Sequence, residues 1–157
     1  MKNLEKVTDI EDLRQIAERK VPRMFYDYVD SGSWTETTYR NNESDFDRIK
    51  LRQRVLVNME NRSLETTMIG ERVKMPVAIA PTGFTGMMWA DGEIKAAQAA
   101  EKFGVPFSLS TMSICSIEDI ATHTSKPFWF QLYVMRDQAF MANLIRRAKE
   151  ANCSALI

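Results

Sequence analysis

Three short apolar runs, each opened by proline, recur along the second half of the chain: Pro76-Val77-Ala78-Ile79-Ala80, Pro106-Phe107-Ser108-Leu109-Ser110 and Pro127-Phe128-Trp129-Phe130-Gln131. Proline lacks the amide hydrogen that a ladder uses, so within a sheet it is tolerated mainly at the first residue of a strand. Runs apolar on both faces fit a parallel sheet covered by helices. The segments between them read as those helices. Asp91-Gly92 leads into Ile94, Ala97, Ala100 and Phe103, with Gly104 as the C-terminal stop. Ser116-x-x-Asp119 caps a shorter helix. Asp137 caps another, whose Phe140, Met141, Leu144, Ile145 and Ala148 form one stripe. Ala155-Leu156-Ile157 then begins a fourth strand. Strand and helix alternating at this spacing predict a βα-repeat.

The first 74 residues are patterned differently. Thr8 with Glu11 predicts a capping box, and Ile10, Leu13, Ile16 and Ala17 share one helical face. Val21-Pro22 opens a second helix that stops at Ser31-Gly32, and Tyr28 shares its stripe with Val21 and Phe25, which predicts a core tyrosine. Ser33-x-x-Glu36 opens a third, ending near Phe46. The run Ile49 to Leu56 reads as extended, its Arg48, Lys50, Arg52 and Arg54 alternating along a solvated face. Leu64 to Met75 reads as two short strands about a turn at Ile69-Gly70. The predicted fold is α/β: the N-terminal part of a (β/α)8 TIM barrel, preceded by a helical segment and a small hairpin. Residues 1–74 form the segment and hairpin; 75–157 hold three βα units and the start of a fourth strand. A complete barrel takes about 250 residues, and the chain has 157, so a truncated barrel is expected. A small three-layer α/β protein with a late edge strand is the alternative.

Charge and cysteine content narrow the classes of partner. The 21 basic and 21 acidic residues balance, which argues against nucleic acid or an anionic membrane surface. Two cysteines, Cys115 and Cys153, make neither a disulfide framework nor a zinc cluster, so no metal is expected and a reducing compartment is. No apolar run approaches the roughly 20 residues of a membrane span. The opening Met1-Lys2-Asn3-Leu4-Glu5-Lys6 is too polar for a signal peptide. A cytoplasmic protein is expected.

In βα barrels the active site is built at the carboxyl ends of the strands. Here those ends are Pro81-Thr82-Gly83, Ser110-Thr111 and Gln131-x-Tyr133. Hydroxyls and an amide suit the edge of a polar heteroaromatic ring, and a glycine lets a planar ring approach the backbone. The plainer reading is that Ser and Thr cap the helices that follow. Gly83-x-x-Gly86 is not a dinucleotide fingerprint, having neither third glycine nor acidic partner. Met87-Met88-Trp89 reads as loop packing or a partner contact. His123, the sole histidine, falls before the third of these strands, at the end away from catalysis.

Several of these stretches together carry a resemblance. Phe25-Tyr26-Asp27-Tyr28 with Ser31-Gly32, Ala78-Ile79-Ala80-Pro81-Thr82-Gly83, Leu109-Ser110-Thr111 and Phe130-Gln131-Leu132-Tyr133 resemble the N-terminal half of the FMN-dependent 2-hydroxy acid dehydrogenase and oxidase family. Leu51-Arg52-Gln53-Arg54, Leu64-Glu65-Thr66-Thr67, Trp129 to Val134 and Arg136-Asp137 are similar to its bacterial respiratory branch that oxidises L-lactate. The resemblance implies FMN as cofactor and oxidation of L-lactate, or a similar 2-hydroxy acid, to the 2-oxo acid by hydride transfer. It implies that Tyr28 donates to the substrate carboxylate and Tyr133 contacts substrate near the hydroxyl carbon. Pro81, Thr82 and Gly83 would border the flavin, with Ser110 and Gln131 on the pyrimidine part of the ring. The family's base histidine, with its arginines and lysine, would lie beyond Ile157, so the chain alone is expected to be inactive. Met112 stands where some family oxidases carry tryptophan, which leaves the accepted side chain open. Gly83, where many have alanine, leans toward a dehydrogenase passing electrons to a quinone or cytochrome rather than oxygen. A homo-oligomer, with a peripheral place on the inner membrane face allowed, is also implied. A non-catalytic α/β interaction module, or another FMN- or phosphate-binding barrel such as an isomerase, are the alternatives.

Overall fold

The computed structural model describes residues 6–157 and divides into two compact units, Met1–Arg62 and Ser63–Ile157. The first five residues of the polar N-terminus, judged unlike a signal peptide, lie outside the described residues.

The first unit is helical: α1 (Ile10–Lys20), α2 (Arg23–Asp30), α3 (Thr37–Ser44) and a 3-10 turn at Phe46–Arg48. The predicted helices form, but their starts differ. The cap of α1 is Asp9, whose side chain accepts from Asp12 N, while Thr8 donates through N and Oγ1 to Asp12 Oδ2, both at 2.9 Å. A carboxylate one residue closer to the helix thus replaces the Thr8–Glu11 box. Glu36 is itself the N-cap of α3, at φ 58°, and its carboxylate accepts from Gly32 N at 3.1 Å instead of closing a box with Ser33. Arg14 ties α1 to α2 through Asp30, with Nε to Oδ1 at 2.6 Å and Nη2 to Oδ2 at 3.0 Å. That fork, above all the hydrogen bond from Arg14, holds the Asp30 carboxyl below its usual range. Two expectations fail in this unit. Residues 49–56 form no strand and stay exposed, because no described segment offers them a ladder. Tyr28 is 66% exposed rather than core, as α2 buries no residue.

The second unit opens with the predicted hairpin. β1 (Thr66–Met68) pairs antiparallel with β2 (Glu71–Val73), Thr66 opposite Val73 and Met68 opposite Glu71. Ile69 (φ 47°) and Gly70 (φ 79°) both have the positive φ of a two-residue turn that matches strand twist. Trp129 Nε1 donates to Glu71 Oε1 at 3.2 Å and joins the hairpin to the sheet.

The sheet has the parallel order β3 (Ser108–Leu109), β4 (Trp129–Phe130), β5 (Ala155–Leu156). Ser108 faces Trp129, and Trp129 faces Ala155. The first proline-led run joins it as one parallel bridge between Ile79 and Phe107, not a full strand. Its ladder is two bonds, Ile79 N to Pro106 O (2.8 Å) and Ser108 N to Ile79 O (3.1 Å), because the next donors in register fall at Pro81 and Pro106, which have no amide hydrogen.

The helices are α4 (Thr85–Met88), α5 (Gly92–Phe103), α6 (Ile117–His123) and α7 (Gln138–Glu150). The predicted stop at Gly104 has φ 89°, where a Cβ would also fall 2.7 Å from Lys74 Cδ. Ser116 and Asp119 close a reciprocal capping box, and Asp137 caps α7. Ile94 and Ala97 from α5, Ile120 from α6, and Leu144 and Ala148 from α7 cover Leu109 and Phe130 of the strands. The stripe on α7 is narrower than predicted, since Phe140 and Ile145 remain exposed. Arg147 on α7 grips Glu118 on α6 with two bonds of 2.7 and 2.6 Å. Among the described residues no helix is long and apolar enough to cross a membrane. Both cysteines are free thiols, and burial pushes Cys153 up to about 11.

Candidate functional site

Where β3 and β4 end, a small polar network forms. Ser110, 3% exposed, donates through Oγ to Gln131 Oε1 at 3.4 Å and accepts from Met112 N at 3.0 Å. Gln131 Oε1 also accepts from Thr111 N at 3.3 Å. The Gln131 Nε2 group takes no part in these bonds and keeps its two hydrogens to donate. Thr111 Oγ1 donates to Gln131 O at 2.5 Å and accepts from Tyr133 N at 3.1 Å. One hydroxyl thus locks the ends of adjacent strands together, a role with no sign in the residue pattern beyond its place at a strand end.

The loop after the first run lies against this network. Phe84 N donates to Met112 O at 2.9 Å, and Thr85 Oγ1 donates to Thr82 O at 3.1 Å. A Cβ on Gly83 would sit 3.1 Å from Met112 Cβ and 3.8 Å from Ser110 Oγ. Glycine here allows two loops to approach, a different need from the ring approach expected of it. Pro81 is half-buried and Thr82 exposed.

The remaining candidates are placed as follows. Tyr133 is exposed just past β4. Tyr28 belongs to the other unit, on α2. His123 ends α6, which leads back to the start of β4, and its Nδ1 lies 2.7 Å from Asp119 O.

One buried group was missed. Glu93, in the first turn of α5, is 2% exposed. Its Oε1 accepts from Gly86 N and from Ile114 N, both at 3.0 Å. Burial raises its pKa, but those amide bonds outweigh it and hold the carboxyl below its usual range. The Cys115 thiol beside it is pushed up, first by burial and then by this carboxylate, which makes it a poor nucleophile. In sequence Glu93 reads as an ordinary acidic residue near a helix N-terminus; the two glycines Gly86 and Gly92 before it were the only sign of crowding.

Within the second unit the arrangement offers hydroxyl and amide groups in a half-buried row and no nucleophile–base pair. Such a row has the chemistry to orient a polar planar ligand; proton transfer needs further groups.

The chain matches the model of the FMN-dependent dehydrogenase family over residues 17–157. Among solved structures, a soluble mutant of the membrane-associated (S)-mandelate dehydrogenase from Pseudomonas putida is 36% identical, with a TM-score of 0.88 over 94% of this chain and 42% of that one. A monotopic membrane protein, (S)-mandelate dehydrogenase, gives 35% identity and a TM-score of 0.89 over 96% and 40%. A mandelate oxidase gives 32% identity and 0.88 over 96% and 44%. The chain spans less than half the length of each of these relatives. It belongs to the FMN-dependent dehydrogenase family, enzymes of 2-hydroxy acids, and its fold is that of the N-terminal portion of their barrel. FMN is the cofactor of that family. The donor set fits it: a buried hydroxyl and an amide with donor hydrogens suit the carbonyl- and nitrogen-rich edge of a flavin ring.

Proposed function

We propose that the chain forms the flavin-facing front part of a dehydrogenase that oxidises L-lactate to the 2-oxo acid. The observation that carries this reading is the pairing of Ser110 with Gln131 at adjacent strand ends, beside the close approach of Gly83 to Met112. Ser110 and Gln131 hold the pyrimidine edge of the ring, and Pro81, Thr82 and Gly83 border it. Tyr28 donates its hydroxyl to the substrate carboxylate, and Tyr133 contacts the substrate beside its hydroxyl carbon. Bound FMN supplies the hydride acceptor. The proton of the substrate hydroxyl needs a base that these residues lack, since the sole histidine, His123, already approaches a helix carbonyl at the far end of β4. Residues 1–157 alone are therefore expected to turn over no lactate. The electron acceptor in this reading is a quinone or cytochrome, and the enzyme is a homo-oligomer.

Mandelate is the second reading, favoured by the names of the solved relatives; lactate is favoured by the motifs around Leu51-Arg52-Gln53-Arg54 and Trp129 to Val134. The protein, expressed at the full length its gene encodes and loaded with FMN, is assayed by dye reduction with each acid. L-Lactate should exceed (S)-mandelate in kcat/KM by about tenfold or more, the scale on which a side-chain pocket discriminates. A preference for mandelate would transfer the reading to that acid. No FMN-dependent oxidation of either would overturn it.

A further inference from the structure

Glu93 is the deepest acidic side chain in the second unit, and one of its oxygens takes both loop amides. Oε1 receives two amide hydrogens, from Gly86 at the start of α4 and from Ile114 in the loop after β3. Oε2 has no hydrogen-bond partner. A buried carboxylate is costly to desolvate, so retaining one that uses half its acceptor capacity calls for a role beyond packing.

The two amides it joins lie in the two loops that carry Thr82-Gly83 and Ser110. Those loops also meet at the backbone bond from Phe84 N to Met112 O and where Gly83 approaches Met112. Phe84 has φ 56°, a left-handed conformation unfavourable for a bulky residue and held only where its surroundings impose it. The packing around Glu93 is tight. A Cβ on Gly86 would fall 2.8 Å from Ile114 Cβ and 3.0 Å from Glu93 Oε2. A Cβ on Gly92 would fall 2.7 Å from Thr85 O. Both glycines let backbone close around this one carboxylate.

We propose that Glu93 is a positioning residue for the flavin: by accepting from Gly86 and Ile114 through one oxygen, it fixes the spacing between the loop bearing Thr82-Gly83 and the loop bearing Ser110. This rests on the reading that those loops face FMN. The carboxylate touches neither cofactor nor substrate in this role; it sets where the groups that do so stand. An offset of about 1 Å in catalytic positioning can cost about a hundredfold in rate, and loss of about one hydrogen bond to the ring costs about tenfold in affinity.

The protein at its full encoded length is prepared as apoprotein, and FMN affinity is measured by fluorescence quenching well below the melting temperature. Glu93→Ala should weaken FMN binding by about tenfold or more. Glu93→Gln should stay within about threefold of wild type, because its carbonyl oxygen can stand where Oε1 does and accept both amides. A purely structural role would lower Tm in both variants and leave the affinity of the folded fraction alone. A folded Glu93→Ala with wild-type affinity would therefore overturn the proposal. Should Glu93→Ala fail to fold, Glu93→Asp, one methylene too short to span both amides, replaces it; wild-type affinity there would overturn the proposal equally. Ser110→Ala is titrated alongside. Unchanged affinity in Ser110→Ala refutes the flavin-facing reading and takes the proposal with it; weakened affinity there with none in the Glu93 variants refutes the proposal alone.

Discussion

Replacing Gln131 by leucine tests the candidate site most directly, since it keeps the side chain's bulk and removes every polar atom. In the protein alone two hydrogen bonds go, from Ser110 Oγ at 3.4 Å and Thr111 N at 3.3 Å. Net values run about 0.5–1.5 kcal/mol per bond, and bonds this long belong at the lower end, so about 1 kcal/mol of stability is lost. Ser110 keeps its bond from Met112 N, which limits the damage. For a chain of 157 residues the loss corresponds to a fall in Tm of about 2–4 °C. Cofactor binding is a separate quantity. If the Nε2 hydrogens serve the flavin edge, two neutral bonds worth about 1–3 kcal/mol together disappear, and FMN affinity falls about 5- to 150-fold. Differential scanning fluorimetry of the apoprotein reads the first number, and quenching of FMN fluorescence reads the second. A drop in Tm with unchanged FMN affinity would refute the reasoning, leaving Gln131 as a tie between strand ends and nothing more.

Three further outcomes are expected. Tyr28→Phe should leave Tm nearly unchanged, because the ring is 66% exposed, while kcat/KM for L-lactate falls about 10- to 150-fold through loss of a bond to a charged carboxylate; a lowered Tm with intact kinetics would remove Tyr28 from the site. Glu118, whose carboxyl the Arg147 hydrogen bonds hold down at about 2, stabilises the fold above its ordinary value of 4.5, and that contribution is lost as pH falls from there through about 2. Both partners being partly solvated, the amount is about 0.5–1 kcal/mol, so Glu118→Gln should lower Tm by a few degrees at pH 7 and by nothing measurable near pH 2; an equal loss at both would contradict the linkage. A polypeptide of residues 1–157 should sediment as aggregates or a swapped oligomer, because β5 pairs on one side only and Leu156 and Ile157 are nearly half exposed; a monodisperse, cooperatively melting monomer would count against this.

What could be read in advance followed the reach of the physics involved. Caps, stops and turns act over three or four residues, and Ser116 with Asp119, Asp137, Gly104 and Ile69-Gly70 all behave as their patterns predict. Signals that compete within the same short window were misjudged: Asp9 supplanted Thr8, and Glu36 turned outward to Gly32. Long-range partners were invisible. Residues 49–56 alternate like a strand yet have no described neighbour to pair with, and Tyr28 lies exposed on a stripe whose Val21 and Phe25 are half-buried. Of the candidate residues, Ser110 and Gln131 stand at strand ends as the pattern predicts, because topology fixes which residues end each strand, and the structure brings those two together. Glu93 was not, because its significance lies in two amides 7 and 21 positions away.

The strands stand side by side in the order in which they occur along the chain, from the Ile79 bridge through β3 and β4 to β5. Each new strand therefore needs only its predecessor as template, separated by an excursion of one helix or, before β3, two. During synthesis, which proceeds from the N-terminus at about 5–20 residues per second, each βα unit can dock as soon as it clears the ribosome, with no wait for a distant partner. Such growth keeps sequence separation between contacts short, the condition for fast folding. It also means that at every stage the sheet has two bare flanks, a fixed one at the Ile79 run and a moving one at the most recently made strand. The second travels with the point of synthesis, and a pause in translation just after a strand would hold that flank open for as long as the pause lasts.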